Sequence, residues 1–447
     1  MPQPPVQSAA DRAEAATPLF LLNRDDKLPE GAEQAAALAQ FKGELDQMAI
    51  TPAGVLIGAG DGDEPLALGT AGAKLPEGDY RVAALPKGFD ETLAALGFAL
   101  GAYRYDRYGK PSEHPVLLID DGGRAEAVSR EAATVGLGRD LINTPAEEMG
   151  PDALEDEARK LADAFGATVK VHKGEGFAEE FPLIHAVGRA AAIEPRLIEL
   201  EWDGGGEHSF ALVGKGVCFD SGGLNLKPGN AMALMKKDMG GAATSIALAR
   251  RIMEENLPIK LRLLVPAVEN LISGNAFRPG DVFRSRQGQT VEISNTDAEG
   301  RLILADALAL ATEGKPDRIL TLATLTGAAR VALGPDLPPI YSTEPAFQQR
   351  VIDAGTRISD PLWPMPFWDR YGSYLKSDIA DVNHAADTPF AGSITAALFL
   401  KRFVGDIPYT HIDTFAWVPA ARPGRPKGGD VLAMRALFRA LREQVAA

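Results

Sequence analysis

Phe210-Ala211-Leu212-Val213, running on into Gly214-Lys215-Gly216-Val217-Cys218-Phe219-Asp220-Ser221-Gly222-Gly223, is the stretch on which the reading of this chain turns. A short, continuous apolar run of this kind reads as a buried strand. It ends among glycines that surround one lysine and one aspartate. Glycine allows close backbone approach and left-handed conformations. A lysine at the end of a buried strand is costly unless it is paired, neutralised or bound to something. A phosphate-binding P-loop is excluded, because no Gly-Lys-Ser/Thr follows a four-residue spacer.

Working outward, Leu261–Val265, Arg318–Thr324 and Tyr409–Thr414 are further apolar strand candidates. Helices are expected over Arg124–Asn143, Pro151–Phe165, Ala242–Glu255, Leu302–Thr312, Ile394–Val404 and Val431–Val445. The first closes at Asn143-Thr144-Pro145, since the residue before proline is pushed out of the helical region. Strands alternating with helices of this length predict an α/β fold, with a central, mostly parallel or mixed sheet flanked by helices. Upstream, Pro18–Leu22, Gly54–Ile57, Tyr80–Leu85 and Pro115–Ile119 read as strands, and Thr92–Tyr103 as a helix. The expected organisation is a flexible tail over 1–17, a smaller N-terminal α/β domain over 18–123, and a larger C-terminal catalytic domain over 124–447. Gly58-Ala59-Gly60-Asp61-Gly62-Asp63 imitates a dinucleotide loop, but Asp63 stands where its third glycine belongs, so it reads as a turn.

Composition narrows the chemistry. The chain has 447 residues, 46 Lys+Arg against 61 Asp+Glu, a formal charge of −15, one cysteine and six histidines. A lone Cys218 excludes a disulfide framework and a cysteine-cluster metal site. The acidic balance argues against nucleic acid as the main partner, because lysine and arginine supply that affinity. No apolar run approaches the roughly 18–20 residues of a spanning helix, and the N-terminus lacks the apolar region of a secretory signal, so a cytoplasmic enzyme is expected. The histidines are scattered singly, and there is no G-x-S-x-G elbow. Carboxylates and metals are left to carry any hydrolysis.

The sharpest segment is Asn295-Thr296-Asp297-Ala298-Glu299-Gly300-Arg301-Leu302. In an extended conformation, Asp297, Glu299 and Arg301 would share one face. Neighbouring carboxylates repel unless they share a proton or a cation, and bridging carboxylates can hold two divalent ions about 3.5–4 Å apart. A surface salt-bridge ladder is the bland alternative. It is disfavoured because Leu302-Ile303-Leu304-Ala305 runs at once into the core. Asp238, just before a helix, reads on position alone as an N-cap.

Val213–Gly216, Phe219–Gly223, Met239-Gly240-Gly241-Ala242-Ala243 and above all Asn295–Leu302 resemble the leucyl aminopeptidase (cytosol aminopeptidase) family. Ala323-Thr324-Leu325-Thr326-Gly327-Ala328 and Ala391–Ala397 are similar to further segments of it. The resemblance covers roughly residues 130 to 420. It implies that Asp220 and Glu299 bridge two divalent metals, that Asp297 completes the more exchangeable site, and that Lys215 and Asp238 complete the tighter one. It implies catalytic roles for Lys227 and Arg301, with Arg301 holding a bicarbonate that acts as general base. Met235, Thr324 and Gly327 become pocket walls, with Phe415 and Val418 as weaker candidates. The implied metals are Zn²⁺ or Mn²⁺, with Mg²⁺ or Co²⁺ as alternatives, and the implied assembly is a homohexamer. Lys215 would ligate as a neutral amine, its pKa lowered by burial and a dication. Cys218 and Asn225 lie beside ligands at positions expected to vary.

The resulting expectation is a metal-dependent aminopeptidase that acts on peptides with Leu-like N-termini. Two other readings stand beside it. One is an oligomeric binding or regulatory protein without relevant catalysis, which would need a basic or exposed apolar patch. The other is a two-metal phosphoesterase, which would not need a lysine ligand.

Overall fold

The computed structural model describes residues 4–110 and 113–446. They form two compact units, Met1–Leu137 with Val418–Gly428, and Gly138–Trp417 with Gly429–Ala447.

The first unit holds β1 (Val6–Ser8), β2 (Thr17–Asn23), β3 (Met48–Thr51), β4 (Gly54–Gly60), β5 (Gly78–Ala84) and β6 (Pro115–Ile119). They form one sheet in the order β1-β6-β5-β2-β4-β3, parallel except for β3 against β4. The decoy loop follows from β4, which is buried along its whole length, and it turns through Gly60 and Gly62 with positive φ. Residues 4–17 are not a free tail. Val6 lies opposite Leu117 in the β1–β6 pairing, and Ala9 and Ala16 are buried with Val116 and Leu118. The β1–β6 pairing, buried Val6, Ala9 and Ala16, and the Arg12–Asp79 ion pair tie down a stretch whose composition reads as loose. The expected boundary at 123–124 falls at the start of a single 22-residue helix, Gly122–Asn143. The compact units part further along that helix, after Leu137.

The second unit holds β7 (Thr168–His172), β8 (Arg196–Asp203), β9 (His208–Gly214), β10 (Gly216–Asp220), β11 (Ile259–Asn270), β12 (Val282–Arg284), β13 (Thr290–Glu292), β14 (Arg318–Ala323), β15 (Pro339–Ser342), β16 (Trp363–Pro364), β17 (Val382–Asn383) and β18 (Tyr409–Asp413). Nine of these make the central sheet, ordered β16-β15-β18-β14-β9-β11-β8-β7, with β10 pairing on β11. Its centre is parallel, and β8 and β15 join antiparallel. The expected mixed sheet flanked by helices is what is found. β12, β13 and β17 form a small separate sheet.

The helices Gly240–Glu254 and Glu299–Glu313 both pack against β9, β11 and β14. Glycine makes one close approach necessary. A Cβ on Gly241 would stand 2.1 Å from the Leu322 carbonyl oxygen, so only glycine lets that helix begin directly on the strand end. β9, β10, β11, β14 and β18 end at Gly214, Asp220, Asn270, Ala323 and Asp413. Lys215, Asp220, Asn270, Thr324 and Asp413 lie at or just beyond these carboxyl ends, where open α/β sheets offer a crevice. Among the described residues no helix is long and apolar enough to cross a membrane.

Candidate metal centre

Lys215 occupies the single-residue break between β9 and β10 and is buried. Its Nζ lies 2.6 Å from Asp238 Oδ2 and 2.9 Å from Glu299 Oε1, and it donates to the Thr324 carbonyl at 2.9 Å. Burial alone would lower its pKa. The Asp238, Glu299 and Asp220 carboxylates outweigh burial and raise its pKa. The neutral amine expected of a ligand is therefore not its state among the protein's own atoms, because three acids face it.

Asp220 ends β10 and is 2% exposed. Its Oδ1 accepts from the Gly222 amide and from Asn270 Nδ2, each at 2.9 Å. Its Oδ2 is left to face Lys227 Nζ at 2.7 Å. Lys227 reaches Asp297 Oδ1 at 2.5 Å as well. Burial lowers the Lys227 pKa, but Asp220 and Glu299 more than reverse the shift, so it is an ammonium.

Asp238 lies in a 3₁₀ turn, Met235–Met239, and does not cap the following helix, whose N-cap is Met239 without a side-chain bond. Its Oδ1 accepts from Thr324 Oγ1 at 2.8 Å, which leaves Oδ2 for Lys215. Burial would raise its pKa, yet Lys215 and Lys237 hold it low.

The Asn295–Leu302 segment differs from the extended expectation. Asn295 caps a 3₁₀ turn over Thr296–Ala298, and a helix begins at Glu299. Asp297, half-buried in that turn, and Glu299, buried in the helix's first turn, still meet Asp220. The three carboxylates offer ligand oxygens within 4.8 Å of one another. Arg301 makes no direct ion pair with them, but Glu299 is near enough to raise its pKa against the lowering by burial. The Arg301 Nη1 donates to the His384 carbonyl at 2.8 Å, while its buried Nε finds no hydrogen-bond partner.

This cluster sets four carboxylates against Lys215, Lys227 and, at its edge, Lys237, whose pKa burial lowers to about 8. The excess of negative charge shows in Glu299. Burial first, and Asp220 next, push its carboxyl up to about 8, and its Oε2 has no hydrogen-bond partner. An oxygen-rich, electron-rich cradle with an orphaned carboxylate oxygen fits hard or borderline divalent cations. The orphaned Arg301 Nε fits a small planar anion.

Of the expected pocket residues, Thr324 is buried and bonded to Asp238, and Met235 opens the turn that carries Asp238. Gly327 starts the next helix, Gly327–Leu333, with open space around it. The Phe415 ring has Lys237 Nζ 4.9 Å and Arg330 Cζ 5.0 Å from its centroid. Several partners went unread in the sequence. Asn270 holds Asp220 and the Thr296 carbonyl, and Thr296 bonds to Asn225. Asp413 accepts from the amides of Leu325 and Thr326. His384, held neutral by burial that lowers its pKa to about 3, bonds to the Asn295 carbonyl. Thr296 and Asn295 lay inside the quoted octapeptide, but Asn270, Asp413 and His384 carried no local signal.

Comparison with known proteins identifies the family. Residues 136–438 match the family described as "Cytosol aminopeptidase family, catalytic domain", and residues 30–119 match "M17 aminopeptidase, N-terminal domain". A probable cytosol aminopeptidase of Roseiflexus castenholzii is 36% identical over 482 aligned positions, 98% of each chain. One from Syntrophotalea carbinolica is 42% identical over 368, 78% of this chain and 74% of the relative. Among solved structures, the cytosol aminopeptidase of Coxiella burnetii is similar with a TM-score of 0.91 and 42% identity, covering 98% of this chain and 99% of its own. The bottromycin maturation enzyme BotP, solved in complex with Mn, has a TM-score of 0.87 and 30% identity, covering 99% and 100%.

Proposed function

This chain belongs to the cytosol aminopeptidase family of metallo-exopeptidases, and from that premise we propose that it releases Leu-like N-terminal residues from peptides with two divalent ions at the Lys215–Glu299 cluster. The observation that carries the reading is the meeting of Asp220, Asp297 and Glu299 oxygens within 4.8 Å, with Glu299 Oε2 unpartnered. Asp220 and Glu299 would bridge the ions. Asp297 would complete one site, and Lys215 with Asp238 the other. Zn²⁺ or Mn²⁺ are the favoured ions, and Mg²⁺ or Co²⁺ share the chemistry. When bound, such ions supply Lewis acidity, which lowers the pKa of a coordinated water and polarises a carbonyl.

The chain's own groups do the rest. Lys227, between Asp220 and Asp297, offers ammonium donors where negative charge grows on the attacked carbonyl oxygen. Asn270 and Gly222 hold one oxygen of Asp220, and Thr324 holds one of Asp238, so each acid presents its other oxygen in a fixed direction. Arg301, tethered to the His384 carbonyl, keeps Nε to hold a bicarbonate, which would supply general-base chemistry there. Met235, Thr324 and Gly327 would line the pocket for the first side chain. A cytoplasmic location and a homohexamer are what the family resemblance adds, and light scattering reads the assembly.

The test is a metal-stripped preparation assayed on a panel of aminoacyl anilides. Hydrolysis should vanish with chelator and return with Zn²⁺ or Mn²⁺, with leucine among the best substrates. Full activity at zero metal content would sink the mechanism, and a flat panel would sink the Leu-like preference.

A further inference from the structure

The residues 221–227 leave β10 as a loop that brings Lys227 back over Asp220. The loop is closed at its base, where the Lys227 amide donates to the Ser221 carbonyl at 2.9 Å. Apolar packing does not hold its middle, since Leu224 and Leu226 are 45% and 57% exposed. Polar bonds do: the Gly222 and Gly223 amides donate to Asp220 Oδ1 and Ser221 Oγ at the loop's own base, and Thr296 supplies the bonds from the other segment. The Thr296 hydroxyl donates to the Gly222 carbonyl at 2.7 Å and accepts from the Asn225 amide at 2.8 Å. The Thr296 amide donates to Asn225 Oδ1 at 2.8 Å. Thr296 is fully buried, and it directly precedes Asp297. The two segments fit without slack. Gly222 and Gly223 have φ of +87° and +61°, and a Cβ on Gly223 would stand 3.0 Å from Thr296 Oγ1.

We propose that Thr296 is a positioning residue for Lys227, stapling the 221–227 loop to the segment that carries Asp297 and Glu299. Lysine has a long stem with high rotamer freedom, so its backbone must be fixed for its ammonium to meet a developing charge. The staple delivers that fixity through one hydroxyl, one amide and the Asn225 side chain. Its catalytic consequence rests on the aminopeptidase reading above, whereas the staple itself does not.

The test compares Thr296→Val, which keeps the shape and loses the hydroxyl, with Thr296→Ser, which keeps the hydroxyl. Amide hydrogen exchange over residues 222–226 should speed up by about tenfold or more in the valine variant, with or without metal, and stay near wild type in the serine variant. With Zn²⁺ or Mn²⁺ bound, kcat on leucine anilide should fall about 10–100-fold in the valine variant, with KM and metal stoichiometry unchanged. Serine should restore kcat to within about threefold. In a Lys227→Ala background the valine substitution should cost nothing further, because its effect passes through Lys227. Losses that multiply in the double variant would overturn the proposal, and so would wild-type exchange or wild-type kcat in Thr296→Val. Should that variant not fold, Asn225→Ala removes the other half of the staple and is read the same way. Absence of hydrolysis by the wild-type protein with any metal refutes the aminopeptidase reading alone, since hydrogen exchange still judges the staple.

Discussion

Replacing Gly300 by alanine sets helix propensity against the metal centre. Gly300 is the second residue of the helix Glu299–Glu313, and alanine is favoured over glycine in a helix interior by about 1 kcal/mol. The new Cβ would stand 2.4 Å from Lys215 Cε and 2.7 Å from its Nζ. An ordinary carbon–carbon contact needs about 3.5–4.0 Å, so the Lys215 side chain must retreat by about 1 Å or more. At least two of its three Nζ contacts, at 2.6, 2.9 and 2.9 Å, would then pass beyond useful hydrogen-bond range. Losing two of them at a fully buried ammonium costs about 1.5–3 kcal/mol each, which leaves a net loss of about 2–5 kcal/mol after the helix gain. Urea unfolding of the metal-free protein reads that number. Calorimetric titration with Zn²⁺ should show one of the two sites weakened or gone. A variant as stable as wild type, binding two ions with unchanged affinity, would refute both the tight seat of Lys215 and its part in the centre.

Lys227→Ala should keep both metal equivalents and lose kcat by about 10²–10³-fold, the scale of one removed oxyanion donor, read by steady-state kinetics with parallel metal analysis. Asp220→Ala and Glu299→Ala should each weaken metal binding by more than about 100-fold, beyond what loss of an outer partner costs, read by chelator competition. His411 is fully buried, and burial depresses its pKa from 6.5 to about 3. Between those two values the unfolded chain binds a proton that the folded chain refuses, so stability falls as pH drops below 6.5. From pH 6.5 to 5 this residue contributes a loss of about 2 kcal/mol. The slope of unfolding free energy against pH should therefore be shallower by close to one proton in His411→Gln, and an identical slope would discount the burial argument.

Strands and helices were legible because their signal is local. Pro115–Ile119 and Pro151–Phe165 have the same ends in sequence and structure. The 210–213 and 261–265 runs mark the cores of longer strands. The charged residues of the centre were visible as misfits, costly groups beside apolar runs. Their local conformation was not. Alternation places Asp297, Glu299 and Arg301 on one face, whereas Glu299 and Arg301 lie in the first turn of a helix and the Arg301 guanidinium is tied to the His384 carbonyl, 83 residues on. Asp238 reads as a cap until Lys215 and Thr324 are folded against it from elsewhere in the chain. Asn270 is silent in sequence because its partners Asp220 and Thr296 lie 50 and 26 residues away. Residues 4–17 read as loose for the same reason, since β1 pairs with a strand more than 100 residues downstream, while residues 1–3 lie outside the described residues.

The placing of the centre after the ends of separate strands has a consequence for the order of assembly. Lys215 finds its carbonyl partner in Thr324, 109 residues later, and Thr324 follows a strand paired on both β9 and β18. A chain emerging N-terminus first holds Lys215 and Asp220 long before Glu299 and Thr324 exist to meet them. Contacts of such sequence separation form late, after loop closure has been met. The early fragment thus carries three of the five proposed ligands, Lys215, Asp220 and Asp238, and no cradle, so capture of a metal at the proposed centre would wait for the finished sheet.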